Sequence, residues 1–313
     1  MMRVGIPRAL GYYEYESLWR TFFTVLGAEV VVSLPTTDAT LATLTGRATA
    51  DLCFPVKVFC GHLLTLRDEA DVIFVPALRR MEREASHCAK LAGLPDLARV
   101  ILGDDAPILT VDVDLAEGWQ GLAKAVLSAA GPFTRHPLRI GEAWNAAWQA
   151  HQETLSRRTA ARRVAKSAED SLLRVALLGH PYNLHDSYLN HCLLQRLERL
   201  GVHVSTADDV PAEAIQAGIK RLTGEPYWAY ANYLVGAADY FLNGGQTDGV
   251  ILITAFGCAP DSGMVEVVTK AAHEVGISAM TLVLDEHAGE AGYITRLEAF
   301  VDMLERKRQR DSQ

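Results

Sequence analysis

The chain has no apolar run of the 18 or so residues that a membrane-spanning helix needs, although hydrophobic residues make up 49% of its 313 positions. It has no surplus of basic residues. Thirty Lys and Arg against 38 Asp and Glu leave a formal net charge of −8, which argues against nucleic acid as a partner. There is no GxxxxGK[ST] loop and no GxGxxG turn, so no nucleotide-binding loop can be read. The opening stretch MMRVGIPRAL lacks the long apolar region of a signal peptide. Cysteine is scarce: five residues, an odd number, with no pair at CxxC spacing. Such usage fits a reducing compartment, where thiols serve metal binding or catalysis rather than a disulfide framework. The expectation is a cytoplasmic protein with neither a nucleic-acid nor a membrane partner.

What the chain does have is a repeated alternation of short apolar runs and helical patterns. Runs rich in Val, Ile and Leu fall at 2–6, 29–33, 71–76 and 108–113, and again at 173–179, 202–206, 249–254 and 278–284. Continuous apolar runs of this length are typical of parallel strands covered on both faces. Helical periodicity separates them, as in 14–26, 55–66, 187–200, 227–242, 263–275 and 292–304. The pattern predicts two doubly wound α/β domains with parallel sheets, 1–140 and 172–313, joined by a long polar connecting helix over 141–171. In such sheets ligands bind beyond the carboxyl ends of the strands. Those loops carry the chemistry: Arg8 after the first run, His87 and Cys88 after 71–76, His180 after 173–179, Cys258 after 249–254, and Asp285 to Glu290 after 278–284. If the two edges face each other, they line one interdomain cleft.

Cys53, Cys88 and Cys258 stand where the chain leaves a strand or enters a helix, in DLCFPVKVF, SHCAKL and FGCAPDS. Three thiolates converging on one point, without a close pair, point to an iron–sulfur cluster with one iron left open. Two other readings stand beside this one. The cysteines can be small buried apolar residues, or they can bind zinc, although structural zinc sites take cysteines in close pairs. Cys60, on the 55–66 helix, is a candidate fourth ligand, but its stripe with Val56, Leu63 and Leu64 reads as core-facing. Cys192 aligns with Leu189, Leu193 and Leu197 and reads as core. His62 follows on the Cys53 helix, where a lone histidine is usually structural. His180 and His287 sit on strand-end loops. Glu286 and Glu290 bracket the turn before the last helix, where capping is as good an account of them as catalysis. The basic stretch RRTAARRVAK at 157–166 reads as a solvated helix face.

The motifs GIPRALGYYEYESLWRTFFTVLGAEVVVS, DLCFPVKVFCGHLLTL, DVIFVPAL, CAKLAGLPD, FGCAPDS and LDEHAGEAGYITRLEAFVDML together resemble the proteins related to the activases of 2-hydroxyacyl-CoA dehydratases, which also resemble the dehydratase subunits themselves. The resemblance spans nearly the whole chain, least in the connecting helix. It implies Rossmann-like domains and a [4Fe-4S] cluster held by three cysteines, matching Cys53, Cys88 and Cys258. It further implies low-potential reductive or dehydrating chemistry, an ATP-hydrolysing activator or other low-potential electron donor, a small-molecule substrate such as an acyl-CoA, and a homodimer. Ala89 departs from the proline usual after the second cysteine. Cys60 stands where the family commonly has another residue. On the enzymatic reading His180, His287, Glu286 and Arg8 are the candidate substrate-contacting groups. On the alternative reading the chain is an electron carrier or an accessory iron–sulfur protein.

Overall fold

The structure is a computed structural model that describes residues 1–46, 51–80, 85–104, 106–166, 173–224, 228–244, 247–287 and 289–311, with 159–166 as backbone only. They divide into two compact units, Met1–Arg158 with Tyr227–Ala229, and Thr159–Pro226 with Tyr230–Gln313. The first unit contains β1 (Arg3–Ile6), α1 (Tyr12–Val25), β2 (Glu29–Val32), α2 (Asp38–Ala42), α3 (Phe54–Leu66), β3 (Val72–Arg80), α4 (Ala89–Ala92), α5 (Leu94–Leu102), β4 (Ile108–Asp114) and α6 (Trp119–Ala130). Helix α7 (Pro137–Lys166) runs on past its last residue. The second unit contains β5 (Leu173–Gly179), α8 (Pro181–His185), α9 (Leu193–Arg199), β6 (Val202–Thr206), α10 (Ala212–Leu222), α11 (Ala229–Asn243, its first residue grouped with the first unit), β7 (Gly249–Ala255), α12 (Ala259–Glu274), β8 (Ser278–Leu284) and α13 (Glu290–Asp311). The expected end of the connecting helix at 171, and the start of the second domain at 172, lie outside the described residues.

The α/β class is as the apolar runs predict. Both sheets are four-stranded and parallel throughout, ordered β2-β1-β3-β4 and β6-β5-β7-β8. In each, the chain moves outward from the first strand to one side and then returns to the other. The order therefore reverses between β1 and β3, and between β5 and β7. A crevice opens at that reversal, beyond the carboxyl ends of the two central strands. The central strands explain the continuous runs. Every residue of β7 is buried, and so is all of β5 but Arg174. The outer strand β4 alternates instead, with Leu109, Val111 and Val113 buried.

Strand β3 continues four residues past the expected Pro76. Arg79 Nε pairs with Asp112 at 2.6 Å, and Arg80 makes a two-point pair with Asp114 at 2.8 Å. These cross-strand ion pairs carry the ladder through a polar stretch that reads as loop. Proline is tolerated because β1 pairs with β3 only at Val72 and Ile73, so no β1 partner is left for an N–H at position 76.

The first unit's core is aromatic. Trp19 stacks on Phe23 and tilts over Phe74, while Phe22, Phe133 and Trp144 close the cluster. The second unit's core is aliphatic, around Leu177, Leu178, Ile251, Leu252, Leu193, Leu197 and Leu234. There α10 and α11 approach through glycines. A Cβ at Gly236 would stand 2.3 Å from the Ile215 carbonyl oxygen, and one at Gly218 would stand 2.6 Å from the Gly236 carbonyl oxygen. At the outer strand β8, Arg296 of α13 donates to the Thr281 carbonyl at 2.6 Å. Among the described residues no helix is long and apolar enough to cross a membrane.

The expected helix over 187–200 is shorter than its pattern. The chain turns through 187–192, with Asp186 Oδ1 accepting from the Tyr188 and Leu189 amides. His191 and Cys192 take left-handed backbone, at φ +52° and +58°. The Asn190 side chain donates to the Asn183 and Leu184 carbonyls and accepts from the Leu193 amide, which starts α9 only there. Cys192 is therefore exposed at the helix start rather than in an apolar stripe.

Candidate metal centre

In the second unit β5 and β7 deliver a polar cluster to the reversal point. Gly179 ends β5 tight against its neighbour: a Cβ there would lie 2.9 Å from the Ile253 carbonyl oxygen. Next comes His180, the N-cap of α8, held in extended backbone before Pro181. β7 ends at Ala255, and Cys258 is the N-cap of α12. With Pro260 in the first turn, a position where proline's missing N–H costs nothing, Asp261 lies one turn on and folds beneath the helix start. It is 1% exposed, against 3% for His180. His180 Nε2 lies 2.5 Å from Asp261 Oδ1, and His180 Nδ1 lies 2.6 Å from the Tyr182 hydroxyl. The His180 ring packs on those of Tyr182 and Tyr230, at centroid separations of 5.0 and 4.7 Å. The ligand atoms of His180, Cys258 and Asp261 all fall within 4.8 Å of one another, close enough to hold one metal ion.

In the first unit Cys53 and Cys88 are likewise N-caps in extended backbone, of α3 and α4. Cys88 follows β3 as Cys258 follows β7, so the two cysteines are topological counterparts. Cys60 differs: it is fully buried in α3, and burial, together with the charge of Cys53, pushes its thiol up to about 12. Arg8 is tied to β2, donating its amide to Ser33 Oγ at 2.8 Å and its Nε to the Ser33 carbonyl at 3.1 Å. Its guanidinium lies 5.4 Å from the Tyr12 ring centroid. His62 is buried with Nε2 3.0 Å from Thr36 Oγ1. Burial, and secondarily the charge of Arg8, lowers its pKa to about 4.

The loop after β8 is open by comparison. His287 is exposed and lies 3.4 Å from Glu286, while its amide is held by Asp285. Glu290, the first residue of α13, pairs with Arg196. Ala288 lies outside the described residues, as do the side chains of 159–166 in the basic stretch. The structure thus brings His180 and Cys258 together, and it adds Asp261, Tyr182 and Tyr230, which the sequence reading did not assign. The Asp261 signal was present in CAPD, an acidic residue one helical turn after the cysteine. Tyr182 had a weaker one, two residues past His180. Tyr230 had none, because only packing of α11 brings it near.

Fold and site define a two-unit parallel α/β protein with a mixed sulfur, nitrogen and oxygen donor set at a strand-order reversal. The chain belongs to the family described as the CoA enzyme activase uncharacterised domain, which matches residues 3–210. The match takes in nearly all of the first unit and the second as far as Val210, so Cys258 and Asp261 lie beyond it. No curated protein matches the sequence. Among solved structures, a FpvC mutant from Pseudomonas aeruginosa is 15% identical, with 97% of this chain and 100% of that one covered and a TM-score of 0.25. A co-structure of S. aureus MnaA with UDP is 10% identical, with 96% and 88% covered and a TM-score of 0.24.

Proposed function

We propose that the chain is an iron–sulfur protein of the CoA-enzyme activation type. It holds a [4Fe-4S] cluster on Cys53, Cys88 and Cys258 and supports reduction or dehydration of a small molecule, an acyl-CoA by its likeness to the dehydratases. Electrons come from an ATP-hydrolysing activator or another low-potential donor. The observation that carries this reading is that all three cysteines stand at helix N-caps in extended backbone, Cys88 and Cys258 at equivalent places after β3 and β7 and both half-buried. Such a cluster, when bound, supplies low-potential electrons and a Lewis-acidic iron. Cys60, fully buried in α3 with its thiol pushed up to about 12, is the weaker candidate for a fourth ligand. His180 stands beside Cys258, and Arg8, Glu286 and His287 are the groups proposed to meet substrate.

The test is iron and acid-labile sulfide analysis of protein purified without oxygen. The expected result is about four of each per chain. Cys53→Ser, Cys88→Ser and Cys258→Ser should each abolish or convert the cluster, whereas Cys192→Ser, altering an exposed side chain, should leave it intact. Stoichiometric zinc without sulfide would overturn the reading.

A further inference from the structure

We infer that Cys258, His180 and Asp261 form, within the second unit alone, a mononuclear site for a divalent transition-metal ion such as zinc or ferrous iron, with one coordination position open. The donor set is one thiolate, one imidazole and one carboxylate, which suits ions of borderline softness rather than magnesium or calcium. Three protein ligands plus a fourth exchangeable one is the pattern of reactive rather than structural zinc sites.

The geometry supports convergence. The three ligand atoms lie within 4.8 Å of one another, and on a tetrahedral ion with ordinary bond lengths they would stand about 3.3–3.6 Å apart. His180 Nε2 and Asp261 Oδ1, now bridged at 2.5 Å, need only open by roughly 1 Å to share an ion. Asp261 supplies a second, independent sign. Its Oδ2 is buried and has no hydrogen-bond partner among the described residues. An unsatisfied buried carboxylate oxygen is costly, and a cation at this point would satisfy it. His180 is also supported from behind. With Nε2 on a metal, Nδ1–H donates to the Tyr182 hydroxyl 2.6 Å away, the outer contact that fixes a ligating histidine's tautomer and ring plane. Cys258 is only half-buried, so the open position can be reached from outside.

This goes beyond the cluster reading and does not rest on it, since no residue of the first unit takes part. The two uses of Cys258 exclude each other, so the mononuclear ion belongs to protein without a cluster.

The experiment is a titration of purified, cluster-free full-length chain with Co²⁺, read by its ligand-field bands and by thiolate-to-cobalt charge transfer. The expected result is one tightly bound Co²⁺ per chain, retained in a Cys53→Ser/Cys88→Ser variant. Cys258→Ser should lose the charge-transfer band. Asp261→Asn and His180→Ala should bind at least tenfold more weakly. Tyr182→Phe should weaken binding about 10–100-fold while keeping the band, as expected for an outer positioning residue. Asp261→Asn keeps the shape of the side chain, so it guards against a His180 variant that fails to fold. A spectrum without thiolate charge transfer, affinity unchanged in Asp261→Asn, or binding that vanishes with Cys53 and Cys88 would each overturn the inference. Iron and sulfide reconstitution of the same preparation separates the two proposals: cobalt binding without any cluster overturns only the cluster, and a cluster without cobalt binding overturns only this site.

Discussion

At the scale of single residues, burial decides what each histidine can do. His180 has a partner on both ring nitrogens, whereas His62 has Thr36 on one side and nothing on Nδ1 among the described residues. His62 also feels the positive charge of Arg8, and its pKa falls to about 4 from an ordinary 6.5 in the unfolded chain. Between those values the unfolded state binds the proton and the folded state does not. Stability is therefore full above about pH 6.5 and declines as pH falls towards 4, by an amount on the order of 3 kcal/mol. Urea unfolding at a series of pH values should show that slope. His62→Gln, which keeps a hydrogen-bonding group near Thr36, should flatten it, and an unchanged slope would assign the acid sensitivity to other groups. His180 and Cys258 were legible because each follows directly on an apolar run. Asp261 carried a signal in its spacing from Cys258 but went unassigned, because CAPDS reads as loop and the helix is expected only from Gly263. Pro260 fits inside the first turn, so the helix begins at Ala259 and draws Asp261 under it.

At the scale of elements, helix starts and helix contacts carry most of the specificity. Cys53, Cys88, His180 and Cys258 are all N-caps, so one local device presents every candidate donor but Asp261. The α10–α11 contact depends on Gly236, where a methyl group would meet the Ile215 carbonyl. Alanine normally favours a helix over glycine by roughly 1 kcal/mol. Here Gly236→Ala should instead destabilise by about 1–3 kcal/mol, because the helices must move apart. A thermal unfolding midpoint equal to or above that of the wild type would refute the close-contact argument. Element legibility follows the same physics. The runs at 173–179, 202–206 and 278–284 are the observed strands because each is apolar and sharply bounded. The 187–200 helix was over-read because apolar spacing continues through residues whose backbone is fixed instead by the side chains of Asp186 and Asn190. The extension of β3 was missed because ion pairs to a strand 34 positions away hold it, and no local pattern records such a partner.

At the scale of the whole molecule, the two units repeat one strand order, and in the second the polar cluster of His180, Cys258 and Asp261 gathers at the reversal of that order. This was readable in outline from the twofold βα alternation, since parallel sheets covered on both faces need continuous apolar runs. Which donors share a point was not, because strand order is set by long-range pairing. The second sheet has a further consequence, for solubility. β8 is an outer strand that pairs only with β7 among the described residues, and its sequence, SAMTLVL, has no charged residue and no proline. β4, its counterpart in the first sheet, carries Asp112 and Asp114 bound to arginines. An uncharged strand margin is a template for intermolecular sheet growth. On β8 the Arg296 guanidinium occupies the Thr281 carbonyl and sets a cation beside that margin. Arg296→Ala should therefore leave the fold in place yet raise light scattering during mild heating or concentration, more than an exposed arginine elsewhere on α13, such as Arg310→Ala. Equal scattering for the two variants would mean that this arginine does not protect against self-association.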